Sequence, residues 1–152
     1  MQRGGHPIPF KFQTEGFQCG AYALYNLLLL QNKTPVSWQK CIRLCNAQPV
    51  VGTLAHNMTR ALYQCNACIQ EYHDITVYTI LQRSTSILLF HWEHKRYSGE
   101  HYAVVHIVDN QIHMLNFSFD IPVRILSHRE LKTLLIPFVD TKTGERFPRA
   151  WA

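Results

Sequence analysis

Cys19 is the residue of this chain best placed for nucleophilic chemistry. It lies in Gln18-Cys19-Gly20-Ala21, where an apolar stretch rich in Ala and Leu, residues 19–30, begins. Apolar residues on every side predict a buried helix that begins near Cys19. Free N–H groups and the positive dipole end at a helix N-terminus favour a thiolate. We therefore expect a nucleophilic cysteine with a lowered pKa.

A nucleophilic thiol needs a general base, and His101 is the candidate. It follows Ser98-Gly99-Glu100 and begins an apolar-rich run, residues 101–108. Asp109-Asn110 separates this run from residues 111–117, which predicts a β-hairpin with a tight turn. The imidazole then lies at one end of a sheet, where it can meet the thiol in space.

The hairpin register indicates a third member of the site. With a two-residue turn, Ala103 faces Asn116, so Asn116 lies diagonal to His101 on the same sheet face, ~7–8 Å away. We expect the Asn116 side chain to accept the ring N–H and orient the imidazole. Asp120 has the same parity and is the alternative. The same spacing also fits an ordinary pair of residues at a strand end.

Gln13 lies six residues before Cys19 and is the candidate oxyanion donor. Acyl transfer needs donors near the nucleophile, usually a main-chain N–H and an amide side chain. The carboxamide of Gln13 reaches the Cys19 N–H if residues 14–18 loop back, a turn that Gly16 eases.

These residues carry a resemblance to a known family. The stretch from Pro9 to Ala21, with its Gln-x5-Cys-Gly pattern, resembles the opening of papain-like peptidases of the bacteriocin-processing, double-glycine type. Later segments are similar to that family's elements, in the same order: Gly52-Thr53, Ile87–Phe90, Gly99–Val105 and Met114–Asn116. The resemblance covers about residues 7–137.

The resemblance implies a papain-like fold and a cysteine peptidase that uses a Cys-His-Asn triad. Cys19 is then the nucleophile, His101 the base, Asn116 the orienting residue and Gln13 the oxyanion donor. The sequence departs from the family at Gln18, where Asp is usual, and at Asn116, where Asp followed by Pro is usual. Transporter-fused members cut after Gly-Gly. This sequence contains no transporter segment, so the substrate of those members is not carried over, and cleavage after Gly-Gly is one option among peptide and isopeptide bonds.

The order of predicted elements indicates a single α+β domain over residues 1–152, with N-terminal helices packed on a C-terminal antiparallel sheet. We expect helices over 19–30 and, capped by Ser37, over about 38–46, and a third helix that Gly52-Thr53 precede and that runs to about Gln64. Strands are predicted at 75–80, 87–92, 101–108 and 111–117, with an edge strand at 122–126. A short helix follows Ser127. The core is expected to span about residues 7–137, followed by a polar tail at 140–152.

Composition excludes several classes of protein. The net charge is +5 and the basic residues are scattered, so no nucleic-acid partner is indicated. The run Leu27–Leu30 is far shorter than a membrane span. Without a signal peptide, a cytoplasmic location is expected, with a viral or effector context as an alternative. The oligomeric state does not follow from the sequence.

Four further cysteines approach a zinc-binding spacing, Cys41-x3-Cys45 and Cys65-x2-Cys68. Their helical context lacks the turn that directs two thiolates at one ion, so we expect buried or half-buried thiols, no metal and no cofactor. His106 is expected to face His113 on the sheet face opposite His101, and no carboxylate completes a metal site there.

Two hypotheses about function remain from the sequence. The first is a cysteine peptidase acting on a peptide or protein substrate, with a deconjugating enzyme as a variant. The second is a catalytically degenerate papain-like module that binds a peptide or a partner subunit.

Overall fold

The computed structural model describes residues 8–14, 18–31, 36–49, 52–67, 70–94, 97–118 and 121–152. Three helices come first in the chain: α1 (Cys19–Leu30), α2 (Trp38–Cys45) and α3 (Ala55–Gln64). The Ser37 hydroxyl accepts a hydrogen bond from the Lys40 N–H at 3.1 Å and caps α2, as the sequence predicts. No helix in the described residues is both long and apolar enough to cross a membrane.

A six-stranded antiparallel sheet follows the helices, in the order β1-β8-β2-β3-β4-β5. Two short helices and a separate two-stranded sheet, β6 with β7, complete the structure. These later elements are β1 (Glu71–His73), α4 (Val77–Leu81), β2 (Thr85–His94), β3 (Tyr97–Val108), β4 (Gln111–Leu115), β5 (Val123–Leu126), α5 (His128–Leu134), β6 (Phe138–Val139), β7 (Arg146–Phe147) and β8 (Arg149–Trp151).

The β3–β4 hairpin has the register that the sequence predicts. Val108 pairs with Gln111, and Val104 pairs with Leu115. Asp109 and Asn110 form the turn with φ of 52° and 63°, the left-handed region that Asn and Asp tolerate. This register fixes which residues of β3 and β4 face α1.

The sheet is buried on both faces. On one face α1 packs against Leu89, Tyr102 and Val104 of β2 and β3. The other face, which includes Phe90 and Val105, is covered by α4 and α5. The α+β class is therefore confirmed, with the helix that begins at Cys19 lying in the core.

The predicted strand over residues 75–80 is wrong, because Val77–Leu81 form α4. Thr76 and Thr79 make a reciprocal capping box at its N-terminus. That local satisfaction of N–H groups outweighs the β propensity of a β-branched segment.

The predicted polar tail is also wrong. Arg149–Trp151 lie between β1 and β2 in the interior of the sheet, and Trp151 is buried. Ala152 and Gln70 exchange two main-chain hydrogen bonds of 3.0 Å. The hydrophobic core therefore continues beyond residue 137, as far as Trp151.

Candidate active site

Cys19 is the first residue of α1 and is buried in the core beneath β3. Main-chain N–H groups of Tyr102, Gly20 and Cys19 itself interact with its sulfur and favour the thiolate. Burial disfavours the thiolate more strongly than these N–H groups favour it, and Glu100 disfavours it further. The pKa of the Cys19 thiol is therefore raised above its ordinary value. This corrects the expectation of a lowered pKa. The resting thiol is neutral.

Gly20 allows the start of α1 to approach the Gly52-Thr53 loop closely. A Cβ at position 20 would lie 2.5 Å from Thr53 Oγ1 and 2.6 Å from Thr53 Cβ. The carbonyl of Thr53 in turn accepts a hydrogen bond of 2.8 Å from the Tyr102 hydroxyl. Thr53 therefore connects the helix that bears Cys19 with the strand that bears His101.

His101 lies in β3, next to Tyr102, opposite Phe90 of β2. The two rings meet edge to face with centroids 5.7 Å apart. His101 Nε2 lies 2.8 Å from the main-chain oxygen of Asn116. Because a carbonyl only accepts, Nε2 carries the proton and Nδ1 is the basic nitrogen. Burial lowers the pKa of His101 although this carbonyl opposes the change, so the ring is neutral.

Asn116 contacts His101 through its main chain, whereas the sequence predicts a side-chain contact. The side-chain oxygen accepts a hydrogen bond from the Gln13 N–H at 2.8 Å, and Nδ2 donates to the Lys11 carbonyl at 2.9 Å. Asn116 has φ of 58° and follows the last residue of β4. Strand alternation ends there, so parity no longer fixes where its groups point. Asp120, the alternative, lies outside the described residues.

Gln13 is buried, and its main chain is held directly by the Asn116 side chain. The structure thus brings the Gln13 main chain, Asn116 and His101 into one hydrogen-bonded chain, and it places Cys19 against Tyr102, the neighbour of His101. Gly16 lies outside the described residues.

Asn26 was missed by the sequence analysis. It is fully buried in α1, its Oδ1 accepts from the Lys11 N–H at 2.6 Å, and its Nδ2 donates to the Lys11 carbonyl at 3.1 Å. The sequence does contain a sign of this role, because Asn26 is the one amide side chain in the otherwise apolar stretch Cys19–Leu30. A buried amide of that kind needs partners, and here both belong to the backbone of Lys11.

Two of the other cysteines belong to the same hydrophobic core as Cys19. Cys41 and Cys45 are buried in α2, and burial raises the pKa of Cys41 to about 12. Among the described residues, no group of three or more His, Cys, Asp or Glu side chains is arranged to hold a metal ion. Cys68, the fourth cysteine of the zinc-like spacing, lies outside the described residues.

His106 faces His113 across the hairpin, as the register predicts. The Nδ1 of His106 lies 2.7 Å from the Thr85 hydroxyl, a protein partner that accounts for this nitrogen.

Comparison with known proteins supports the fold. No family model matches the chain, and no curated protein matches it. Among solved structures, the chain is similar to the peptidase domain of Streptococcus ComA, a bifunctional ABC transporter involved in a quorum-sensing pathway. The TM-score is 0.66 at 15% identity, over 96% of this chain and 97% of that chain.

A second similar structure is a double-glycine-motif protease from an AMS/PCAT transporter in complex with its leader peptide. Its TM-score is 0.61 at 17% identity, over 86% of this chain and 87% of that chain. The predicted fold class is thus confirmed: the architecture is that of these peptidase domains over nearly the whole chain.

Proposed function

We propose that this protein is a cysteine peptidase in which Cys19 attacks a peptide carbonyl and His101 transfers the proton. The observation that carries the proposal is the hydrogen bond from His101 Nε2 to the Asn116 carbonyl. It fixes the tautomer whose Nδ1 accepts a proton, on the strand whose Tyr102 N–H interacts with the Cys19 sulfur. The similarity in fold to two peptidase domains supports the same reading.

The reaction follows from these positions. The Cys19 thiol proton moves to His101 Nδ1 as the sulfur forms a bond to the carbonyl carbon, and the carbonyl oxygen becomes an oxyanion. The C–N bond then breaks, and the imidazolium gives its proton to the leaving amine. Water attacks the thioester with His101 as base, which releases a carboxylic acid and restores the thiol. Gln13 and the Cys19 N–H are the proposed oxyanion donors.

We propose a peptide substrate cut after Gly-Gly. Two observations support this assignment: the sequence resemblance at Gln13, Cys19 and His101, and the similarity to a double-glycine-motif protease with a bound leader peptide.

A panel of fluorogenic peptides, with and without Gly-Gly before the reporter, tests this assignment. The parent chain should cleave the Gly-Gly members, whereas Cys19→Ala and His101→Ala should not. Cys41→Ala removes a different buried thiol, one that belongs to α2, and is the matched control, expected to keep activity. Cleavage by Cys19→Ala at the parent rate contradicts the mechanism.

A peptide-binding module without catalysis is the second candidate. The raised pKa of Cys19 and the lowered pKa of His101 favour it, because an ion pair of thiolate and imidazolium is not the resting state. If no peptide is cleaved while the parent and Cys19→Ala bind one member of the panel equally tightly, this second function replaces the first.

A further inference from the structure

Residues 11–13 have no regular secondary structure, yet their main chain is hydrogen-bonded at three groups. Asn26 bonds both the N–H and the carbonyl of Lys11, at 2.6 and 3.1 Å. Asn116 bonds the same carbonyl and the Gln13 N–H, at 2.9 and 2.8 Å. The Lys11 carbonyl therefore accepts from two amides, which use both of its lone pairs.

Both asparagines are buried, Asn26 with 0% and Asn116 with 4% of its surface exposed. Buried amides in a packed interior have fixed partners, since leaving them unsatisfied costs far more than at a surface. The two residues also belong to the elements of the site. Asn26 lies two turns along α1 from Cys19, and Asn116 bonds His101 through its carbonyl.

We infer that Asn26 and Asn116 form an asparagine clamp that holds the main chain of residues 11–13, and with it Gln13, in fixed register with Cys19 and His101. The clamp residues are positioning residues for the oxyanion side of the reaction. This inference rests on the proposed thiol acyl transfer. It assigns the side chain of Asn116 a role distinct from orienting the imidazole, which its main-chain carbonyl does.

Two reactions of Cys19 separate this role from general stability. Alkylation by iodoacetamide displaces iodide at a saturated carbon and forms no oxyanion, so its rate depends on Cys19 and His101. Acylation by 4-nitrophenyl acetate passes through an oxyanion and depends also on its donors. Both rates are measured at Cys19, alkylation by peptide mass spectrometry and acylation by nitrophenolate release with Cys19→Ala as the blank.

Asn26→Ala should lower the acylation rate by about 10-fold or more, because loss of an oxyanion donor costs about 10²–10³-fold and displacement costs part of that. The alkylation rate should change by less than about twofold. Asn57→Ala is the matched control: Asn57 is a buried asparagine of a helix, bonded to Arg60 instead of to residues 11–13. In Asn57→Ala, the ratio of the acylation rate to the alkylation rate should equal that of the parent.

Asn116→Asp is a second, independent test of the asparagine clamp. A carboxylate keeps the acceptor for the Gln13 N–H and the main-chain carbonyl for His101, but it cannot donate to the Lys11 carbonyl. The clamp therefore predicts a fall in acylation. An Asn116 side chain that merely orients the imidazole predicts retained acylation.

Three results overturn the inference. If Asn26→Ala lowers the acylation and alkylation rates equally, Asn26 has a structural role alone. If both rates are unchanged in Asn26→Ala and in Asn116→Asp, the two asparagines have no role in positioning the oxyanion donors. In either case the proposed function stands, provided that the parent acylates. A parent that shows no acylation above the Cys19→Ala blank overturns the proposed function and the clamp together.

Discussion

Substitution of Gly20 by Ala sets two physical effects of opposite sign against each other. Ala is about 1 kcal/mol better than Gly in a helix interior, so helix propensity alone predicts a more stable protein. The structure predicts the reverse, because the added Cβ would lie 2.5 Å from Thr53 Oγ1 and 2.6 Å from Thr53 Cβ. Rotation about χ1 moves the Thr53 hydroxyl but leaves its Cβ in place.

The magnitude follows from the movement that these distances require. An ordinary contact needs about 3.4 Å or more, so Thr53 and α1 must separate by close to 1 Å within a packed core. Overpacking of this kind costs about 1–3 kcal/mol. After the helix-propensity gain is deducted, Gly20→Ala should lower the free energy of unfolding by up to about 2 kcal/mol. The movement should also lower the proposed peptidase activity, because Cys19, the proposed nucleophile, directly precedes the altered residue.

Urea denaturation followed by circular dichroism measures the change in the free energy of unfolding. The comparison requires that the parent and the variant have equal m-values. Gly99→Ala is the matched control, since nothing lies within 4 Å of a Cβ at position 99. Its stability should stay within about 0.5 kcal/mol of the parent. Thr53→Gly should recover part of the loss when combined with Gly20→Ala. A Gly20→Ala protein at least as stable as the parent refutes the packing argument.

Two further predictions concern protonation. Burial raises the pKa of the Cys41 thiol from 9.0 to about 12, so the folded state keeps a proton that the unfolded state loses above pH 9. Stability should therefore fall as pH rises above 9. Between pH 8 and pH 10 the parent should lose about 1 kcal/mol more than Cys41→Ala in urea titrations, and parallel curves contradict this. The raised pKa of Cys19 predicts that its alkylation by iodoacetamide still accelerates between pH 7 and pH 9; a plateau below pH 7 contradicts the neutral thiol.

The hairpin that bears His101 was predictable because its information is local. A two-residue turn of Asp109 and Asn110 fixes the register of the strands on both sides, and the structure has that register. The buried helix from Cys19 was predictable for a similar reason, since an apolar stretch of helical length has few other solutions.

The contacts of Asn116 were not predictable in the same way. Strand parity holds only within a strand, and Asn116 lies just past β4 with φ of 58°. Its side-chain partners, Lys11 and Gln13, come from a segment without periodicity that is more than 100 residues away in sequence. No pattern within one segment encodes such a contact.

The pKa of Cys19 and the place of β8 also depend on long-range packing. A helix N-terminus favours a thiolate, but burial beneath β3 disfavours it more. Arg149–Trp151 form a short segment that comes soon after the polar stretch Asp140–Arg146, so their sequence alone resembles a surface tail. Their place in the sheet is set by pairing with β1 and β2, which precede them by more than 50 residues.

The neutral resting state of Cys19 and His101 changes what the rest of the site must supply. In the proposed mechanism proton transfer accompanies attack, and the neutral carbonyl of Asn116 accepts a hydrogen bond from the imidazolium that forms. A carbonyl stabilises that charge less than Asp does. More of the transition-state stabilisation must then come from the oxyanion side, where small displacements of a donor are costly. The proposed mechanism therefore needs a fixed position for Gln13, and the inferred asparagine clamp would supply it through the hydrogen bonds of Asn26 and Asn116 to the main chain of residues 11–13.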